Sequence, residues 1–583
     1  MTRKRLGEKR VSRRWMLGAM TATASAAGLA ALRCSGGNGD GSGILTPTEI
    51  ENETPEITAT PTPRTQDGKR GETLRYTGFV VRDQSFDPHK SQAGPFYGQQ
   101  ALVYSRLLNY QDQAKGVIVP DLATKMPEQP DSQTLIFQLN PNAHWHDLPP
   151  LNGRAVTADD VKFSIDRQIG DDQSFVRKAQ WSIVDSVEAT STDTVTVKLK
   201  SPLAAIHHRF ADVHSFIVAP ETAGDRNDID ANSQVGSGPF QWVEWVDGKH
   251  ASVRRNPNWY GGDRRPNLDG ISLVQPTSTA DVEGVLRTRE IDAAMVGRIL
   301  ADRLKKAIPQ LTETTMGHSQ FFGMRFSLVN DPYNDIRFRT AVTIALDRRA
   351  MIDKFFGGSG GINPWVSWPM TDWALPESEL TTLAGYRPGD GGRQQDISEA
   401  RALLEAFKSE KTVKDELPLF VLDDTEAALE FGATIRDQLA ANLGLDQVRV
   451  VPIPLTQLSS LLLTGEAPWV AAPDNGWIDL DDWVYPYFHA NGSKNSFPLR
   501  DDEITSMIDA ERVELDKAAR REIGYNIQRR LLTLNAGVNL VSERVVALSW
   551  PYVKGFPLDT SDGYQHRFAD CWIDQTDATF RGR

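Results

Sequence analysis

Gly357-Gly358-Ser359-Gly360-Gly361 has the form of a catalytic string. It satisfies G-x-S-x-G, in which a serine on a tight strand-to-helix turn attacks an acyl carbon. That turn needs a strand before the serine and a helix after it. Here a helical pattern precedes the serine and Asn363-Pro364 come after it. Four glycines around one serine read as a flexible loop, so a secreted serine hydrolase is kept only as a remote alternative. His144-x-His146 and His207-His208 pair imidazoles without a third ligand at a recognisable spacing, and neither a metal nor a cofactor is expected. Gly37, Gly39 and Gly41 do not form a nucleotide loop, because no strand precedes them and no helix comes after. The two cysteines, Cys34 and Cys571, are not expected to pair, since Cys34 lies in a processed or unstructured region.

Any site must be positioned by the elements beyond residue 70. Leu135, Phe137 and Leu139 alternate with polar residues, as do Val195, Val197 and Leu199, and both runs read as strands. Thr157-Ala158-Asp159-Asp160 reads as a capping box opening a helix through Phe163 and Ile165. Asp247-Gly248 between Gln241–Val246 and Ser252-Val253 marks a hairpin whose loop is longer than two residues. Phe338–Phe356 carries Val342, Ala345, Leu346 and Ile352 at near-helical spacing. Phe420–Leu422 and Val448–Ile453 read as strands around a helix from Glu430 to Leu443, a β-α-β unit. Asp502–Leu534 reads as long helical segments. The fold class is therefore α/β, and 583 residues require at least two packed lobes.

The chain's beginning reads as an address. Seven Lys or Arg against one Glu occupy Met1–Arg14, and Arg13-Arg14 precede an uncharged run from Trp15 to Leu32. A basic segment, then a short apolar one, resembles a signal peptide of the twin-arginine type. Cys34 ends it in a setting similar to a lipoprotein processing site, although Arg33 stands where a small residue belongs. Lipidation of Cys34 and ordinary cleavage in the Ala-rich run both remain open. Ser35–Arg70 holds 19 Gly, Ser, Thr or Pro in 36 residues, too few apolar groups to offset the entropy of ordering, and reads as a tether. With 64 basic against 77 acidic residues the net charge is −13, which disfavours nucleic acid as a partner.

The ordered landmarks resemble one family. Phe86-Asp87-Pro88-His89, Val119-Pro120-Asp121-Leu122-Ala123 and His144-Trp145-His146-Asp147 with Val156-Thr157-Ala158-Asp159-Asp160-Val161 come first. Val235-Gly236-Ser237-Gly238-Pro239-Phe240, Arg255-Asn256-Pro257-Asn258-Trp259-Tyr260 and Asp335-Ile336-Arg337-Phe338-Arg339 through Ala345-Leu346-Asp347-Arg348 come next. In this order they are similar to the extracytoplasmic solute-binding proteins of peptide-type ABC importers, the oligopeptide- and dipeptide-binding group. The resemblance implies a two-lobed clamp of the type II periplasmic-binding-protein kind, in the large peptide-binding subclass with an extra subdomain in the first lobe. With the signal at 1–34 and the tether at 35–70, it places the first lobe at 71–295, the second at 296–529 and a C-terminal return to the first lobe at 530–583.

The resemblance also implies a site. In the family a "GW-x-x-D" element pairs with a peptide's α-ammonium. Here Gly476-Trp477-Ile478-Asp479-Leu480-Asp481 puts Leu480 in the acid's slot, and a one-residue slip in a strand would reverse side-chain direction. Asp479 or Asp481 is then expected to meet a cationic or hydroxyl-bearing ligand; the alternative is a solvated acidic turn. Asp423-Asp424-Thr425 replaces the basic and aromatic residues that hold a dipeptide's carboxylate, which would repel that end. Longer peptides, or an oligosaccharide or other non-peptide solute, remain. The segment from Ser91 through Gly94 and Phe96 to Tyr97 resembles the first-lobe wall of the cleft. Trp365, Trp368 and Trp373 are either stacking faces or packing residues. The expected activity is binding without turnover: a monomer, exported to the periplasm or the outer face of the cytoplasmic membrane, that delivers solute to a permease and ATPase. A sensor or chaperone sharing the clamp is the third class.

Overall fold

A computed structural model describes residues 70–580 apart from 79, 81–84, 92–93, 226, 263–264, 277, 363–364, 366–372, 424–425, 455–456, 459–460, 462–465, 475–478, 493–494, 496–498 and 559–562. The signal, all of the tether but Arg70, and Cys34, Trp368, Asp424, Thr425 and Trp477 lie outside the described residues. Among the described residues, no helix is long and apolar enough to cross a membrane.

An 11-stranded mixed sheet runs through both lobes. One half holds Ala293–Val296, Thr73–Thr77, Gly270–Val274, His250–Arg255 and Phe240–Val246 in that spatial order. The other half holds Val448–Ile453, Leu417–Leu422, Trp469–Asp474 and the start of the join. Leu417–Leu422 and Val448–Ile453 pair in parallel, Phe420 opposite Val451, with the helix Glu426–Leu443 between them in sequence. This is the expected β-α-β unit. The Asp247-Gly248 hairpin is also present: Val246 pairs with His250, and Gly248 takes a φ of 72° in the loop.

Two long strands, Thr312–Phe326 and Gly537–Ser549, join the halves. They pair antiparallel from Thr312 opposite Ser549 to Gly317 opposite Arg544, break register, resume at Phe321 opposite Ser542, shift again after Phe322 opposite Val541, and run from Gly323 opposite Asn539 to Arg325 opposite Gly537. On one side of the break Val546–Ser549 also pairs with Ala293–Val296. On the other, Phe321–Phe326 pairs with Trp469–Asp474. A β-bulge is where a ladder bends and twists most readily, and this one lies where the chain passes between the lobes.

The cores obey the same division. The first gathers Leu74, Phe216, Ile271, Leu304 and Leu311 with Val546, Trp550 and Ile573. A second gathers Met324, Phe338, Leu419, Ile435 and Val541, and Leu480, Trp483, Ile508 and Ile527 form its neighbour. The helix Arg298–Ala307, which a boundary at 296 would assign to the second lobe, buries Ala301 and Leu304 in the first core. The exchange therefore falls at the register break. Glu128–Asp131, Thr134–Gln138, Thr194–Leu199 and Val184–Ala189 make a separate four-stranded sheet. Phe137, Val161, Val197 and Phe210 form its core.

Two local expectations change. The helical run at 338–356 is two helices, Ile336–Ile344 and Arg348–Phe356. Asp347 caps the second by accepting from the Ala350 N–H at 2.9 Å, and a capping acid in mid-run starts a new helix. The glycine string is only half a loop. Gly357 and Gly358 have φ of 55° and 80°, but Gly360–Ile362 is a strand on Val541–Glu543. Ser359 thus comes after a helix and before a strand, the reverse of a nucleophile elbow.

The Gly236–Pro239 landmark is explained by His146. His146 donates its backbone N–H to the Gly236 carbonyl at 2.8 Å. Its Nδ1 lies 3.3 Å from the Gly236 N–H, and its Nε2 lies 3.0 Å from the Gly238 carbonyl. Burial pushes this imidazole down to about 4, so it is neutral and can accept at one nitrogen while donating at the other.

Candidate functional site

Residues 479–482 lie beyond the carboxyl end of Trp469–Asp474, which runs parallel to Leu417–Leu422, and Asp423 sits just past that strand's own end. In open α/β sheets ligands collect beyond the carboxyl ends of strands. Asp423 is solvent-exposed there, its N–H donating to the Ile453 carbonyl at 3.0 Å.

Leu480 is not in a strand. It has helical dihedrals, φ −61° and ψ −43°, as N-cap of the helix Asp481–Phe488. Side-chain reversal along a strand therefore does not arise here. Leu480 is fully buried and lies over Gly524, where an added Cβ would come within 2.5 Å of its Cδ2. Its burial leaves Asp479 and Asp481 to face the polar seam. The solvated-turn alternative is corrected: the two carboxylates are 0% and 1% exposed.

Asp479 is gripped by Arg520 of the helix Lys517–Leu534, through Nη1 to Oδ2 at 2.9 Å and Nη2 to Oδ1 at 2.6 Å. The same Nη2 lies 2.5 Å from Glu511 Oε1. From the first lobe, His208 Nε2 reaches Asp479 Oδ2 at 3.3 Å, and Tyr110 Oη lies 2.8 Å from His208 Nδ1. Arg209 Nη2 lies 3.1 Å from Asp481 Oδ2, and its Nη1 contacts Asp482. Arg512 Nε approaches Asp481 Oδ1 at 3.4 Å. The Ala204 N–H donates to the Arg512 carbonyl at 2.7 Å, closing the contact between lobes.

The charges are distributed unevenly. Burial works to raise the Asp479 carboxyl, but the Arg520 guanidinium and His208 outweigh it and hold it well below the usual carboxylate range. Asp481 goes the other way: burial raises it, against Arg512 and Arg209. Glu511 is pushed up to about 8, by burial first and then by Asp481 and Asp479, against the pull of Arg520. One strong anion, Asp479, takes Arg520, and Glu511 is displaced toward its protonated form.

Glu511 makes stability depend on pH. Its folded pKa lies above the unfolded value of 4.5, so between those limits the folded state binds the extra proton. Its contribution is then complete below about pH 4.5 and lost as pH rises through about 8. Glu511→Gln is expected to match wild type in urea unfolding at pH 4, below both limits, and to exceed it by a margin that grows until about pH 8 and persists at pH 9. A Gln variant that loses its advantage as pH rises would show the carboxyl to be ionised.

Of the other expected residues, Ser91 is buried, its Oγ donating to Gln100 Oε1 at 3.1 Å and its carbonyl facing His214 Nε2 at 2.8 Å. Gly94 opens the helix Gly94–Val103. Phe96 is fully buried against Phe86, Trp242 and Trp245, with ring centroids 5.0, 6.0 and 4.8 Å away. Ser91 and Phe96 are thus interior residues of the first lobe. Trp365 and Trp373 are buried, with the Arg325 and Arg520 guanidinium groups 5.6 and 4.7 Å from their rings; both are packing residues. His144 is exposed and His207 and His208 part ways, His208 alone reaching the seam. Arg209, Arg512, Arg520 and Glu511 carry no local motif: Arg520 is 41 positions from Asp479, and Arg209 is 272 from Asp481.

Comparison with known proteins agrees with this architecture. The dipeptide-binding protein of Escherichia coli is 24% identical over 354 residues, covering 56% of this chain and 62% of its own. Protein XP55 of Streptomyces lividans is 26% identical over 329 residues, 53% and 58%. A Brucella ovis relative, 26% identical over 268 residues, is matched over 48% of its length. The chain thus spans about half the length of the curated relatives it matches. Among solved structures, the Helicobacter pylori periplasmic binding protein DppA, in complex with the peptide STSA, superposes with a TM-score of 0.69 at 19% identity, over 87% of this chain and 99% of that one. AgaA of Agrobacterium tumefaciens R10, in complex with agropinic acid, gives 0.68 at 22%, over 86% and 98%. At these identities the likeness shows the fold, that of a two-lobed periplasmic binding protein. The profile of the bacterial extracellular solute-binding proteins, family 5, matches residues 117–496, more than half of the chain, and the chain belongs to that family.

Proposed function

We propose that this protein captures a peptide by closing its two lobes about the paired strands and delivers it to the permease and ATPase of an ABC importer. The observation that carries the reading is the hinge: separately packed cores joined at a register break in the ladder of Thr312–Phe326 with Gly537–Ser549. Ligand that binds the closed form more tightly stabilises it further, and a permease can read the loaded clamp. The sequence signal and the tether, with or without a lipid on Cys34, would keep a monomer at the outer face of the membrane. Family membership supports an extracellular place and a role in binding rather than turnover.

On this reading the cleft lies between the wall built by Ser91, Gly94 and Phe96 and the strand ends bearing Asp423 and the segment of Asp479 and Asp481. An exposed Asp423 favours peptides whose carboxyl end is not gripped there. Native mass spectrometry of the purified protein is expected to show co-purified peptides. Adding the identified peptide at a hundred times its Kd should raise unfolding stability by about 2.7 kcal/mol. A bound hexose series, with no response to peptides, would remove the peptide assignment.

A further inference from the structure

The carboxylates at the start of the helix Asp481–Phe488 already have a cation, and the other lobe supplies it. Arg209 reaches across from the helix Ile206–Ala211, whose Phe210 and Ala211 pack in the core of the four-stranded subdomain. Its Nη2 lies 3.1 Å from Asp481 and its Nη1 contacts Asp482. Its side chain is 8% exposed, and those of Asp481 and Asp482 are 1% and 15%. Arg512, over the Tyr485 ring at 3.9 Å, balances Asp481 from the second lobe at 3.4 Å. Two carboxylates thus meet two guanidinium groups, and the charge of the pair is neutralised without a ligand.

Arg209 is also held in place. Its carbonyl accepts from Ser215 Oγ and from the Asp212 N–H, and Asp212 is itself paired with Arg177 at 2.9 and 3.1 Å. An incoming ammonium could take the carboxylate pair only by leaving a buried guanidinium unpaired. Removing one partner of a buried pair is costly enough to shift an equilibrium about a hundredfold or more.

We propose that Arg209 is a built-in latch that occupies the Asp481–Asp482 pair in place of a ligand's ammonium, so that the clamp closes when empty and disfavours ligands presenting a cation there. The selectivity half rests on the peptide reading above; the closure half does not. The inter-lobe contacts of Ala204, His208 and Arg209 come from one short stretch, so the latch is local.

The test uses the exported full chain without added ligand, after unfolding and refolding to strip bound solute. Small-angle scattering is expected to show wild type as a compact closed form. Arg209→Met and Asp482→Asn, which cut the same pair from opposite lobes, should each lower the closed-to-open ratio by about tenfold or more. Either variant suffices if the other fails to fold. An open empty wild type, or a folded variant as closed as wild type, overturns the latch. A peptide with a free amine should bind wild type no better than its N-acetylated form, and Arg209→Met should gain at least about tenfold preference for the free amine. A wild type that already prefers the free amine overturns the selectivity. If closure behaves as stated while neither peptide binds, the latch stands and the peptide reading falls.

Discussion

Replacing Arg520 by methionine is expected to destabilise the second lobe by about 3–5 kcal/mol, because it strands a buried anion. Asp479 is wholly buried and takes both of its strongest contacts from this one guanidinium, at 2.9 and 2.6 Å. Guanidinium chloride unfolding monitored by tryptophan fluorescence measures it, since the Trp373 ring lies 4.7 Å from the Arg520 guanidinium. The double variant Asp479→Asn/Arg520→Met should recover much of the loss, because removing both partners leaves no uncompensated charge. A single variant as stable as wild type would mean that Asp479 is already neutral.

Gly236→Ala is expected to cost about 3 kcal/mol or more and to lower the yield of folded protein. A Cβ at 236 would stand 2.0 Å from the Val103 carbonyl oxygen and 2.6 Å from its carbon. Both are backbone atoms, so the strain cannot be relieved by turning a side chain. The conflict also reaches His146, whose N–H bonds the Gly236 carbonyl and whose ring bonds the Gly238 carbonyl. Thermal unfolding of Gly236→Ala beside Gly248→Ala makes the comparison. At Gly248 an added Cβ meets nothing within 4 Å, so only the backbone penalty of its positive φ remains. Equal losses at the two positions would refute close packing at 236 as the cause.

Short-range signals were the legible part of the fold. Asp247-Gly248 between alternating runs marks its hairpin, and Thr157 with Asp160 marks a helix start, because the groups that satisfy each other lie within a few residues. The crossing strands were not legible. Thr312–Phe326 begins Thr-Glu-Thr-Thr, with no apolar alternation, and its partner begins at Gly537. The site divides in the same way. The acids at 479 and 481 stand out beside a glycine-tryptophan pair, but their cations come from Arg209 and Arg520, on other elements. Leu480 misleads when the segment is read as a strand; as the N-cap of a helix it points into the core and leaves both neighbours free for the seam.

The division of the cores sets an order of assembly. The second lobe's strands and helices between Phe321 and Val541 form one continuous stretch of chain. They can pack as soon as that stretch has left the ribosome. The first lobe cannot. Its core needs Val546, Leu548, Trp550, Tyr552, Phe568 and Ile573, which come after the whole of the second lobe's stretch, and until they arrive Ala293–Val296 has an unpaired edge beside Thr73–Thr77. Unpaired edges invite association with other chains. The lobe whose strands are translated earlier is thus completed after the other, and the interval in which its edge stands open to aggregation is set by the time needed to translate the intervening lobe.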